Sequence, residues 1–211
     1  MTDHFSYALL SERIALLAHA GNLIPAARKQ LLRQLAEAIR HQLAVHGRAQ
    51  IIFVCTHNSR RSQLAQLWLH AAARHDAVKG IVSYSGGTEA TAFNPRMVDA
   101  LVRYGFQIMR TTDADNPRYV ARVSEDDDGL VMFSKRYDDP FNPQQDFIAV
   151  MVCSQADGDC PVVPGAVARI SLPYDDPKAY DGASSEFQAY DDTVREVGRE
   201  MVFVARLLKA A

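Results

Sequence analysis

Hydrophobic positions change their period along the chain, and each change marks a different kind of element. Over residues 7–19, and again after Gly21, Asn22 and Pro25, apolar side chains recur at helical spacing, with Leu31, Leu35, Ile39 and Leu43 four apart. Residues so spaced share one face of a helix, which predicts an N-terminal helical hairpin over residues 1–47. Beyond Gly47, short apolar runs of strand length alternate with helical stretches. That alternation favours a parallel sheet covered by helices over residues 48–211. Residues 51–54 read as a buried strand. Residues 62–74 read as a helix carrying Leu64, Leu67, Trp68 and Ala71 along one side.

Residues 81–84 form a second expected strand and residues 85–88 a glycine-rich turn. Asn94-Pro95 then supplies a helix cap followed by proline at the first helical position, with the helix running to about residue 104. Two alternating segments, residues 119–123 and 130–134, flank Glu125-Asp126-Asp127-Asp128-Gly129 and predict a hairpin, because those turn residues tolerate unusual backbone angles. Residues 147–152 and 167–172 are further strands. Phe187, Tyr190, Val194, Val197, Met201, Val204 and Leu208 mark a long amphipathic terminal helix. The polar, proline-interrupted stretch over residues 113–146 is the part expected to move most.

A chain of 211 residues with formal charge −2 gives no whole-molecule reason to bind nucleic acid or an anionic membrane, so any anion site must be local. No apolar run approaches the roughly 18 residues of a membrane span. The first residues hold Asp3 and Glu12 where a leader would be basic and then apolar, so a soluble cytoplasmic protein is expected. Cysteines at 55, 153 and 160 are odd in number, which argues against a disulfide framework and for buried or reactive thiols.

Chemistry concentrates between the first strand and its helix, in Cys55-Thr56-His57-Asn58-Ser59-Arg60-Arg61-Ser62. A cysteine at a strand end, before a helix N-terminus and beside arginine, has its thiolate stabilised and becomes a usable nucleophile. The residues between Cys55 and Arg61 suffice for one turn of backbone whose N–H groups converge on a tetrahedral oxyanion. Arg61 would close that cup with a planar two-pronged donor. Ser62 can donate to the sulfur and make it a better leaving group. A cysteine ending a strand can also be a plain core residue; the Cys-x5-Arg-Ser spacing between strand and helix is what speaks for the nucleophile.

At these residues the chain resembles the low-molecular-weight protein tyrosine phosphatase superfamily, which includes thioredoxin-coupled arsenate reductases. The likeness spans about residues 50–210. It rests on Val54-Cys55-Thr56-x-Asn58-Ser59-x-Arg61-Ser62, on Ser85-Gly86-Gly87-Thr88-Glu89-Ala90, on Asn94-Pro95 and on Asp176-Pro177. It implies an α/β fold with a four-stranded parallel sheet flanked by helices and the anion loop at the carboxyl end of the first strand. His57 departs from the pattern: glycine is common there and accepts positive φ more freely. The string Tyr-Asp-Asp-Pro occurs twice, at residues 137–140 and 174–177. The resemblance assigns the proton-donating acid to Asp176, between last strand and terminal helix; Asp138, Asp139 and Asp175 read as surface-turn residues.

Cys153 and Cys160, in Cys-x6-Cys-Pro, are similar to the arsenate reductase branch. That likeness implies a relay in which Cys55 attacks arsenate, Cys153 attacks the adduct, and Cys160 resolves the disulfide for reduction by thioredoxin. If the segment between them is helical, about 1.5 Å of rise per residue sets their α-carbons roughly 10 Å apart, too far for a bond without unwinding. The alternative keeps Cys153 as strand core and Cys160 as an inert loop thiol. A zinc site lacks the usual ligand spacing, Gln66 stands where some reductases place a carboxylate for a monovalent cation, and His57, His70 and His75 read as solvated or packing residues. No metal or other cofactor is expected. Lys178-Ala179-Tyr180 lacks the aromatic pair that many tyrosine phosphatases carry after Asp-Pro, which favours a small inorganic substrate. Two other functions stay open: a phosphate-monoester hydrolase acting on phosphotyrosine, and a non-catalytic anion sensor or scaffold whose helical hairpin and residues 113–146 bind a partner. The hairpin could cover the sheet or pair with a second copy.

Overall fold

The computed structural model describes residues 7–159 and 162–210. Helix α1 (Ala8–His19), a 3-10 turn (Ala20–Leu23) and α2 (Ala26–His46) form the expected N-terminal pair. Gly47 ends α2 in the left-handed region at φ 67°, returning its N–H to Leu43 O, a conformation glycine adopts without strain. There follow β1 (Ala49–Cys55), α3 (Arg61–His75), β2 (Ile81–Gly87), α4 (Pro95–Arg103), β3 (Gln107–Arg110), β4 (Tyr119–Arg122) and β5 (Leu130–Met132). The chain continues through β6 (Phe147–Met151), α5 (Ser154–Asp159), β7 (Ala166–Ser171), a 3-10 turn (Pro177–Tyr180) and α6 (Glu186–Lys209).

The larger sheet has the order β2-β1-β6-β7 with every pairing parallel. Central β6 is a continuous apolar run, and so is β1 from Ile51 onward, as strands covered on both faces tend to be. Their ladder continues past the strand ends: Val152 N donates to Val54 O at 2.8 Å, and Tyr174 N donates to Val152 O at 3.2 Å. The segments leaving β1, β6 and β7 therefore emerge side by side at one edge.

Two local expectations differ from what forms. Residues 85–87 do not turn but extend β2, where Ser85, Gly86 and Gly87 pair with Phe53, Val54 and Cys55. The glycines serve close approach instead: a Cβ on Gly86 would lie 2.3 Å from Tyr137 Cα, and one on Gly87 2.2 Å from Glu89 O. The predicted hairpin is present as β4 and β5, yet it belongs to a three-stranded antiparallel sheet that β3 completes. Asn94 caps α4 as expected, accepting from Arg96 N at 3.0 Å.

Helix α3 packs on β1, β2 and α6; α2 lies against β1, β7 and α6; α1 lies against α6 and α3. The α3–α6 approach is close at Gly198, where a Cβ would come within 2.5 Å of the Trp68 indole. Trp68 also meets Tyr104 and Phe106 edge to face at 5.3 and 4.9 Å. Leu10, Ile14, Leu32, Leu35 and Ile39 from the N-terminal pair join Ile52, Phe53 and Val150 of the sheet in one buried cluster. Among the described residues no helix is long and apolar enough to cross a membrane.

Candidate active site

Cys55 is the last residue of β1 and Arg61 the first of α3, so the intervening residues must reverse the chain within one turn. The backbone angle that permits this falls on Asn58, at φ 46°, not on His57. Asparagine visits the left-handed region more readily than most residues, and here its side chain is tied down. Asn58 is fully buried. Its Nδ2 donates to Ser62 Oγ at 2.8 Å and its Oδ1 accepts from Lys135 N at 2.9 Å. Ser62 Oγ in turn lies 3.1 Å from Cys55 Sγ. The departure expected at His57 thus leaves the loop intact, because the strained position is one residue further on.

Main-chain N–H groups of His57, Asn58, Ser59 and Arg60 donate to no acceptor among the described residues. Four successive amides left free before a helix N-terminus are donors of the kind that can hold an anion. Cys55, His57, Ser59, Arg60, Arg61 and Asp176 line a narrow cleft. Arg61 enters it with Nη1 on Tyr174 O at 3.0 Å and Nη2 on Asp176 Oδ2 at 2.7 Å. Its Nε is buried with no acceptor among the described residues. Asp176 also accepts from Lys178 N at 3.1 Å through Oδ1, the cap of the 3-10 turn that Pro177 opens. Of the two Tyr-Asp-Asp-Pro strings, only the second reaches the cleft. Asp138 pairs with Arg136 and Asp139 caps Phe141 N in an outlying turn, while Asp175 is exposed.

Arg60 points the other way. Its Nε donates to Tyr190 OH at 2.9 Å and its Nη2 reaches Asp181 Oδ2 at 3.4 Å, fastening the far end of the acid segment to α6. Burial first, then the hydrogen bond to Asp181, pushes the Tyr190 phenol up to about 12, so that phenol stays a neutral donor. Thr56 faces the second thiol: its Oγ1 lies 3.5 Å from Cys153 Sγ, and Ala156 N donates to that sulfur at 3.4 Å from the start of α5. Cys55 and Cys153 are both buried. Cys160 lies outside the described residues. His57 sits on the rim with Nε2 3.6 Å from Glu89; His70 pairs with Asp127 at 3.0 Å and His75 with Asp76 at 3.1 Å. Gln66 donates from Nε2 to Ser83 O at 3.1 Å. Among the described residues no group of three or more His, Cys, Asp or Glu side chains is placed to hold a metal ion.

Part of the cup's support was invisible to sequence reasoning. Residues 134–142, in the stretch expected to move most, brace it: Ser134 Oγ donates to His57 O at 2.9 Å, and Lys135 O and Tyr137 N bond the main chain of Gly87. Lys135 is itself buried, its ammonium over the rings of Phe133 and Phe141 at 4.6 and 5.3 Å, and burial pulls it down to about 8. A lone lysine in a polar run carries no signal of this; only packing reveals it.

The family described as low molecular weight phosphotyrosine protein phosphatase matches residues 50–140. An arsenate reductase of Staphylococcus aureus (strain N315) is 30% identical over 145 residues, 69% of this chain and 89% of that protein. An arsenate reductase of Bacillus licheniformis is 30% identical over 153 residues, 72% of this chain and 91% of that protein. A solved mutant of YwlE from Bacillus subtilis shares the fold with a TM-score of 0.52 at 18% identity, over 76% of this chain and 99% of that one.

Proposed function

The chain belongs to the low molecular weight phosphotyrosine protein phosphatase family, and on that premise we propose that this cysteine-based enzyme reduces arsenate to arsenite through a thiol relay. The observation that carries the proposal is Cys153, whose sulfur faces Thr56, the residue next to Cys55. Hydrolysis of a phosphate monoester calls on the Cys55 thiol alone, whereas a reductive relay needs a second thiol beside it. The curated relatives quoted above are arsenate reductases, which supports the same reading.

In this mechanism the amides of residues 57–60 and Arg61 hold the arsenate oxygens. The Cys55 sulfur attacks arsenic, forming an S–As(V) bond, while one oxygen leaves as water with the proton of Asp176. Ser62 donates to the sulfur and helps it leave later. Cys153 then attacks the Cys55 sulfur; the electron pair of the S–As bond passes to arsenic, so arsenite departs and a Cys55–Cys153 disulfide remains. Cys160 attacks Cys153 and frees Cys55, and a dithiol protein of the thioredoxin kind reduces the Cys153–Cys160 bond. α5 spans the residues just after Cys153, so a bond from Cys153 to a residue seven positions on would call for that short helix to unwind. Such a relay depends on a reducing compartment, in keeping with the expected cytoplasmic location.

A second reading, hydrolysis of a phosphate monoester, is favoured by the Arg61–Asp176 pair, which suits an aryl-phosphate leaving group equally well. Both activities should be measured on one preparation. Cys55→Ser is expected to lose both. Cys153→Ser is expected to lose thioredoxin-coupled arsenate reduction by about three orders of magnitude while keeping any aryl-phosphate hydrolysis. Native-rate reduction by Cys153→Ser would eliminate the relay.

A further inference from the structure

Tyr174 lies two residues before Asp176 and touches four parts of the molecule at once. Its carbonyl accepts from Arg61 Nη1 at 3.0 Å, and its N–H donates at 3.2 Å to Val152 O, directly before Cys153. Its hydroxyl donates to Glu200 Oε2 on α6 at 2.7 Å, and the Arg28 guanidinium from α2 lies 4.5 Å over its ring. Arg28 Nε meets both oxygens of Glu200, at 2.8 and 3.0 Å, and its Nη2 reaches Leu172 O at 3.4 Å. Glu200 is only 2% exposed and Tyr174 5%. A carboxylate buried so deeply needs its partners, and removing one leaves an uncompensated charge.

We propose that Arg28 is a positioning residue for the anion cup: through the Tyr174 ring and Glu200 it sets the carbonyl on which Arg61 rests. Resting on the reading above, in which Arg61 holds the oxyanion, the proposal makes the N-terminal pair part of the site's support. Arg61 has two fixed contacts, Tyr174 O and Asp176. Asp176 hangs from the same segment as Tyr174, so a shift of Tyr174 moves both. Arg28 uses Nε on the Glu200 carboxylate and Nη2 on Leu172 O while its guanidinium lies over the Tyr174 ring, a spread of contacts from one group that the compact ammonium of lysine reproduces poorly. Arg40, further along α2, donates to Leu207 O at 3.1 Å and bonds neither Tyr174 nor Glu200, so it reports what general damage to the pair would do.

The test uses the full-length chain and inorganic phosphate as probe, read as protection of Cys55 from alkylation by iodoacetamide. Thermal melting accompanies each variant. Arg28→Met is expected to stay folded and to weaken phosphate protection about tenfold, since small displacements at such sites cost that much or more. Arg28→Lys should recover less than half of that loss, and Arg40→Met should protect as wild type does. A purely structural Arg28 would lower the melting temperature with protection unchanged, and that result overturns the proposal. Should Arg28→Met fail to fold, Tyr174→Phe decides, because it deletes only the hydroxyl contact to Glu200: weakened protection supports the inference and wild-type protection defeats it. If phosphate fails to protect even the wild type, the anion-cup reading falls first and this inference with it, an outcome distinct from loss confined to the variants.

Discussion

Lys135 shows how a single residue can be expensive and useful together. Its backbone N–H holds Asn58 Oδ1, one bond away from the Ser62 that faces the Cys55 sulfur, while its side chain carries an ammonium between two aromatic rings. Below the native value of about 8, folded and unfolded chains are both protonated there, and the cost of burying the charge is fully present. Between about 8 and the ordinary 10.5, the folded protein has released its proton while the unfolded chain still binds one, so stability rises with pH through that window. Relative to Lys135→Met, the wild type should gain on the order of 3 kcal/mol across it. Urea unfolding of both proteins at several pH values on either side of 8 reads this directly. A difference that stays constant with pH would refute it. At this scale the placement of Cys55, Arg61 and Ser62 together between a strand and a helix was legible from their spacing. The strained position was not: glycine preference pointed at residue 57, but the φ of 46° sits on Asn58, where a buried side-chain network can hold it.

Among the elements, the long periodic ones and the hairpin β4–β5 could be read from the chain, whereas β3 could not. The helices α2 and α6 and the buried strands β1 and β6 carry their patterns over enough residues to declare themselves. β3 spans Gln107–Arg110 and leaves Met109 65% exposed, so it shows no alternation; it is a strand because β4 offers it a backbone. Gly86-Gly87 looked like a turn because glycine signals two different things, backbone freedom and close approach, and only tertiary contacts tell them apart. Here approach governs, which leads to a test. A methyl group on Gly87 would lie 2.2, 2.6 and 2.8 Å from Glu89 O, Thr56 O and Asn58 N, all main-chain atoms next to or within the cup. Gly87→Ala should therefore cost roughly 1–3 kcal/mol, as overpacking does, and should weaken phosphate protection of Cys55. Unaltered protection in a stable Gly87→Ala protein would show that the loop tolerates displacement.

For the whole molecule, patterning showed an apolar face on each N-terminal helix but could not say what covers it, because periodicity identifies a buried stripe and not its partner. The stripe packs on α3, α6 and the sheet of its own chain. Leu10, Ile14, Leu17, Ile24, Leu32, Leu35 and Ile39 are all buried there. At roughly 1.5–3 kcal/mol for each buried aliphatic side chain, their removal would exceed about 10 kcal/mol, comparable to the entire stability of an ordinary domain. A chain shortened to begin at residue 48 is expected to lose cooperative unfolding and to aggregate, as circular dichroism and gel filtration would show. A soluble shortened protein that melts cooperatively and still protects Cys55 with phosphate would establish residues 48–211 as an independent domain.

The contact between Arg61 and Asp176 carries a consequence for traffic through the cup. On the proposed reading, an incoming oxyanion would meet a guanidinium already engaged by a carboxylate of the same chain, a rival tethered at high effective concentration. Singly charged ions with one contact to offer would lose that contest, whereas a multiply charged tetrahedral ion would recover the exchange through the loop amides. The same rival would reclaim the guanidinium when product loosens, so selectivity on entry and clearance on exit would come from one side chain.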